Sequence, residues 1–310
     1  MFSFFKRQKN EIIVPEWASF FSKSEYKVFV DAIDKFFYDR NITYTLGDAL
    51  INVGPNDFDW GVLGLMNLAQ ACKLAEVSDR QELVLGHFES MIRTFQFEKD
   101  FKEIIDDFNA IEEYIATRLY PLDYLDHGGK ENKVYRMLAG EIAEVLVFDL
   151  PDAVQTITPE QAGKWKKTWD KLFETGIENI RSKYPCSITR EEIGQTSIWF
   201  AFGDHFFAPN IIFDMTRNPQ LVGSKGSLIG IPHRHTVIIY PIENIDFVNA
   251  VNDMIPVIYG MNQEGPGSVS SNLLWYKDGI FENQPYEIED NTIKFSPTDG
   301  FLKAMEIIES

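Results

Sequence analysis

The chain is short of positive charge, of cysteine and histidine, and of long apolar runs, and each shortage narrows its possible roles. Lys and Arg number 29 against 47 Asp and Glu, a formal net charge of −18. Such a field repels a nucleic-acid backbone unless basic residues gather on one face. The gatherings are confined to Lys6, Arg7 and Lys9 and the Lys166-Lys167 pair, so no nucleic-acid partner is expected. A protein partner with a basic or aromatic-rich surface suits the acidic balance, though nothing identifies one. Cys72 and Cys186 are the two cysteines. They form no CxxC or Cys/His ligand spacing, and so low a count suits a reducing compartment. Cys72 stands seven residues after Leu65 on an apolar helical stripe and reads as a buried thiol acting as a small hydrophobe.

No apolar run approaches the length of a bilayer span. The start, Met1-Phe2-Ser3-Phe4-Phe5-Lys6-Arg7, puts its charge after a short apolar part, the reverse of a secretory signal. The cytoplasm is therefore the expected compartment. Met1–Lys9 reads as a loose tail in preference to a membrane-contacting segment. Familiar catalytic signatures are missing too. Gly223-Ser224-Lys225-Gly226-Ser227 lacks the spacing of a phosphate loop. There is no GxGxxG after a strand, no HExxH, no GxSxG elbow and no zinc-deaminase pattern. Acidic neighbours such as Asp106-Asp107 do not face one another on a helix and read as solvated surface.

What is present is ample core material: 45% hydrophobic residues, including 25 Phe, which excludes disorder of the whole. Ser22 and Glu25 form a capping box that opens a helix with the stripe Tyr26, Phe29, Val30, Ile33 and Phe37. Further helices are expected near 60–75, 79–95 and 100–113, the second starting at Ser78 to Gln81. Thr158, Pro159 and Gln161 mark another start, for a helix to about Lys183 with Trp165, Trp169, Leu172, Phe173 and Ile180 on one face. Strands are expected near 118–125 and 141–149. Hairpins are expected at 227–240 and, across Asp278-Gly279, at 273–282. A helix at 245–259 should lead into a flexible Gly- and Ser-rich loop at 260–272.

Helices separated by β-hairpins argue for the α+β class with a largely antiparallel sheet, and against a doubly wound nucleotide fold. The expected division is 1–116, an α+β but mainly helical N-terminal part, and 117–310, an α+β domain.

Several stretches of the second part point to a family: Leu119-Tyr120-Pro121, Gly176 to Ile180, Trp199 to Asp204, and above all Gly226 to Tyr240. In their order they resemble the bacterial YtpQ-like family, domain of unknown function 1444, over about 117–285. His235 stands where that family commonly has Asp. The resemblance implies a similar fold and no particular activity or cofactor.

One constellation carries chemistry: His233, Arg234 and His235, with Asp204 and His205 upstream. Residues two apart on a strand point to one side, so His233 and His235 could present two imidazoles to a metal, with Asp204 or His205 as a third ligand. Alternatively, His and Arg in a hairpin turn could hold a phosphate or carboxylate. The plain alternative is a polar turn with no ligand. The expectation is a non-catalytic binding or interaction protein; the alternative is a metal- or anion-binding enzyme centred on this turn.

Overall fold

The computed structural model describes residues 13–151, 153–289 and 292–305, so the Met1–Lys9 segment lies outside it. The fold is α+β, with several antiparallel sheets and with helices in both halves of the chain. The chain divides into two compact units at Lys99/Asp100, earlier than the boundary expected at 116/117.

The first unit holds α1 (Lys23–Asp39), a small sheet of β1 (Tyr44–Leu46), β2 (Leu50–Val53) and β3 (Val62–Gly64), then α2 (Met66–Leu74) and the start of α3 (Arg80–Ile104). The Ser22–Glu25 capping box is formed. Phe29, Ile33, Phe36 and Phe37 of α1 are fully buried with Cys72 and Phe88. Three expectations fail here. The helix from Trp60 starts only at Met66, because Asn56 bonds the backbone of Gly54, Phe58 and Trp60 and folds that stretch into a loop leading to β3. The helices expected at 79–95 and 100–113 are largely one, α3, since no Gly or Pro interrupts Phe95–Phe101. Ser78 makes no capping box; its hydroxyl donates to Asp79.

The second unit continues with α4 (Phe108–Ile111), β4 (Ile115–Pro121), β5 (Tyr135–Ala139), β6 (Ile142–Leu150) and β7 (Ala153–Thr156). There follow α5 (Pro159–Lys164), α6 (Trp169–Lys183), β8 (Ser187–Ile193), β9 (Thr196–Phe202), β10 (Ser227–His233) and β11 (Thr236–Pro241). The chain ends with α7 (Phe247–Glu264), β12 (Leu273–Lys277), β13 (Ile280–Gln284), a hairpin of β14 (Tyr286–Glu289) and β15 (Thr292–Phe295), and α8 (Asp299–Met305). One sheet centres on β6, which pairs with β4, β5 and β7; all nine of its residues are buried. The larger sheet runs β13-β12-β10-β11-β9-β8, antiparallel throughout. Alternation along its strands serves two cores: Leu228 and Ile238 pack with α7, while Ile229, Ile231, Val237 and Ile239 pack with Leu119, Ile142 and Met215.

The Thr158–Gln161 capping box is formed, but its helix ends at Lys164. Lys166 adopts φ +54, and Thr168 caps a separate helix, α6. Trp165 is buried and Trp169 is 47% exposed, so they share no common buried face. Leu122–Asp126 is a 3-10 turn and not the end of a strand. The loop expected to be flexible is packed: α7 extends to Glu264, and Gly265, Pro266, Val269 and Ser270 are buried.

Candidate anion-binding site

The β10–β11 hairpin closes through Arg234 and His235, with His233 paired to Thr236. This turn is held from both sides by backbone. On one side the end of β9 reaches it: Gly203 N–H donates to the His235 carbonyl at 3.1 Å. On the other side lie the last turn of α7 and the loop after it. Arg234 N–H donates to Gly267 O at 3.0 Å, Val269 N–H to Pro232 O at 2.9 Å, and Asn262 Nδ2 to Pro232 O at 2.8 Å. Two glycines make that docking possible. A Cβ on Gly265 would strike the His233 ring. One on Gly267, at φ +71, would lie 2.6 Å from Cδ of Arg234.

The hydrogen bonds fix the tautomers. His235 Nε2 accepts from Arg234 Nε at 3.1 Å, so Nδ1 carries the proton and donates to Gly203 O at 3.2 Å. His233 Nδ1 accepts from the His235 N–H at 3.2 Å. Burial, then the neighbouring His235 and Arg234, push His233 down to about 4. His235 is likewise lowered, by burial and by Arg234. Both rings are therefore neutral at pH 7, and they hold the turn and Arg234 in place.

The structure adds residues that the sequence pattern does not single out. Arg118, at the middle of β4, sets its guanidinium carbon 4.6 Å from the Tyr120 ring centre and 5.4 Å from that of Phe206. Arg234 lies 4.3 Å from the same Phe206 ring. Phe206 stands edge-on to His235 at 5.7 Å and is 36% exposed. Tyr120 stacks on Tyr124 at 3.8 Å, and burial raises its hydroxyl to about 12. Two guanidiniums thus share one aromatic ring. Among the described residues neither makes an ion pair with a carboxylate, and Nε of Arg118 is buried without a hydrogen-bond acceptor. Burial and the nearby charge of Arg118 lower Arg234 to about 10, which leaves it protonated.

Of the five residues expected at the site, His233, Arg234 and His235 come together and the other two do not join them. Asp204 is exposed. His205 packs its ring on Tyr184, centroids 5.0 Å apart, and its Nδ1 accepts from Phe207 N–H. The His233 and His235 rings are 6.1 Å apart, and both ring nitrogens of His235 are engaged, one by a cation. Among the described residues no group of three or more His, Cys, Asp or Glu is placed to hold a metal ion. The donors gathered here are N–H groups, which suit an oxyanion. A separate groove of about 470 Å³ is lined by Pro121, Asp123, Asp126, Glu141 and Ser268 among others, and neither Arg118 nor Arg234 lines it.

Among the described residues no helix is long and apolar enough to cross a membrane. Comparison with models of protein families, with curated proteins and with solved structures gives no match.

Proposed function

We propose that the protein is a non-catalytic binding protein whose Arg118–Arg234 pair takes a single oxyanion, a carboxylate or a phosphate, carried by a small molecule or displayed by a partner protein. One observation carries this reading: two partly buried guanidiniums on one ring, neither ion-paired with a carboxylate among the described residues. Gathering like charges away from water costs free energy, and an oxyanion bridging their N–H groups offsets that cost with charge-assisted hydrogen bonds. The net charge of −18 opposes a second anionic group on the ligand. The favoured ligand therefore has one anionic end and a neutral or cationic remainder.

The bonds of the His233 and His235 rings run to the turn and to Arg234, which supports positioning in preference to acid–base work. Two free thiols, Cys72 and Cys186, support the cytoplasm as the compartment. Kinship with the YtpQ-like family is part of the same proposal and rests on the order of its motifs.

Sulfate and inorganic phosphate are suitable probes, titrated calorimetrically into the full chain at pH 7 in low-chloride buffer. Saturable binding at one site is expected, weakened about tenfold or more in Arg118→Met and in Arg234→Met. Absence of binding, or equal binding by the variants, defeats the reading.

A further inference from the structure

One of the five N–H groups of Arg234 tethers it to its neighbour in the turn. Its Nε–H is spent on Nε2 of His235, and the same imidazole is anchored at Nδ1 to Gly203 O. An oxyanion that takes the Nε edge of Arg234 through two parallel N–H donors strips His235 Nε2 of its donor. A partly buried acceptor left without a partner is costly. The vacated nitrogen can take a proton from solvent and then donate to the anion that displaced Arg234.

Resting on the anion-binding reading above, we propose that oxyanion binding is coupled to uptake of one proton by His235, so that the bound anion is held by three cations in place of two.

The surroundings of the ring set the direction. Arg234 faces it within the turn, Arg118 faces it from β4, and His233 and His205 lie on β10 and after β9. The loop Gly265-Pro266-Gly267-Ser268 adds no titratable side chain. Asp204, in the stretch after β9, is exposed and acts on His205. Without an anion, burial and two arginines therefore keep His235 neutral and below its ordinary range. A bound anion offsets those two charges and raises it. Between the free and bound values affinity rises as pH falls, by up to about tenfold per pH unit, and levels off once the free imidazole is itself protonated.

Sulfate is the deciding probe, because its own charge is constant over this range. It is titrated into the full chain at pH 5.5, 6.5 and 7.5, in two buffers of different ionisation enthalpy. About tenfold tighter binding at pH 5.5 than at 7.5 is expected, with a fraction of a proton approaching one taken up per sulfate. His235→Gln keeps an acceptor for Arg234 Nε but cannot titrate. It should bind sulfate with most of this pH dependence lost. A general effect of the less negative protein at low pH would persist in that variant, and if its slope equals the parent's the coupling is overturned. Proton-free, pH-independent binding by the parent also overturns the coupling and leaves the anion site standing. No sulfate binding at any pH overturns both. Should His235→Gln not fold, imidazole ¹⁵N shifts of the parent decide: Nε2 of His235 must change from unprotonated to protonated on adding sulfate at pH 6.5, and an unchanged shift overturns the coupling.

Discussion

Arg118 stands in β4 between Thr117 and Leu119, both buried, with its Nε cut off from water and from any acceptor. A buried donor without an acceptor costs stability, and a ligand oxygen on the guanidinium would offset part of that cost. The Arg118→Met variant separates a ligand-binding role from a structural one. It removes a like charge from Arg234 while preserving much of the aliphatic packing on Tyr120 and Phe206. At low ionic strength and without anion it is expected to be as stable as the parent, or up to about 1 kcal/mol more stable. Sulfate should then raise the melting temperature of the parent and not of the variant. A loss above about 2 kcal/mol in urea unfolding would mark Arg118 as structural. The same residue shows why half of the site was hidden in the sequence. His233, Arg234 and His235 are contiguous and announce themselves as a polar turn between two apolar strands. Arg118 and Phe206 reach that turn from β4 and from the stretch after β9, and neither stands in a local pattern that reports the juxtaposition. A lone Arg amid Ile115, Ala116, Thr117 and Leu119 was the available signal, and alone it does not say what the guanidinium meets.

Elements with strong local instructions form as read: the capping boxes at Ser22 and Thr158, the β10–β11 hairpin, and the β12–β13 hairpin across Asp278-Gly279. Where tertiary bonds decide, the local reading stops short. Asn56 overrides an apolar pattern, and Lys166 divides a stretch whose apolar stripe is continuous in the sequence. The loop after α7 is composed like a flexible linker, yet its glycines are there to dock on the turn. Within the first unit one residue joins three helices. Glu25, on α1, accepts the Ser22 N–H, pairs with Lys73 of α2 at 2.8 Å and with Arg80 of α3 at 2.8 Å. Lys73, the Ser22 N–H and Arg80 hold its carboxyl well below the usual carboxylate range. A depressed folded value contributes stability that is present above the unfolded value, about 4.3, and is lost as pH falls through the folded one. Glu25→Gln is therefore expected to cost about 1–2 kcal/mol at pH 7. The gap to the parent should narrow steadily in urea unfolding below about pH 4. A gap that stays constant to pH 2.5 would mean that packing, and not charge, is lost.

Over the whole molecule a net charge of −18 surrounds a site made of two cations. Far from the protein an approaching anion meets repulsion; only near Arg118 and Arg234 does attraction take over. Salt acts differently on the two ranges, since the screening length falls from about 30 Å at 0.01 M to about 10 Å at 0.1 M. The distant repulsion is screened away, while the partly buried guanidiniums are little affected. Raising ionic strength over that interval with a bulky anion that cannot enter the site should speed sulfate association, by roughly two- to threefold. Dissociation should hardly change. A protein that binds anions through a diffuse basic patch shows the opposite sign. A single-stranded oligonucleotide should fail to displace sulfate, because each further phosphate adds repulsion from a surface of net charge −18. Relaxation kinetics at the two ionic strengths decide the matter. Association that slows with salt, or an oligonucleotide that competes, would place the anion on an extended basic surface and take it away from the Arg118–Arg234 pair.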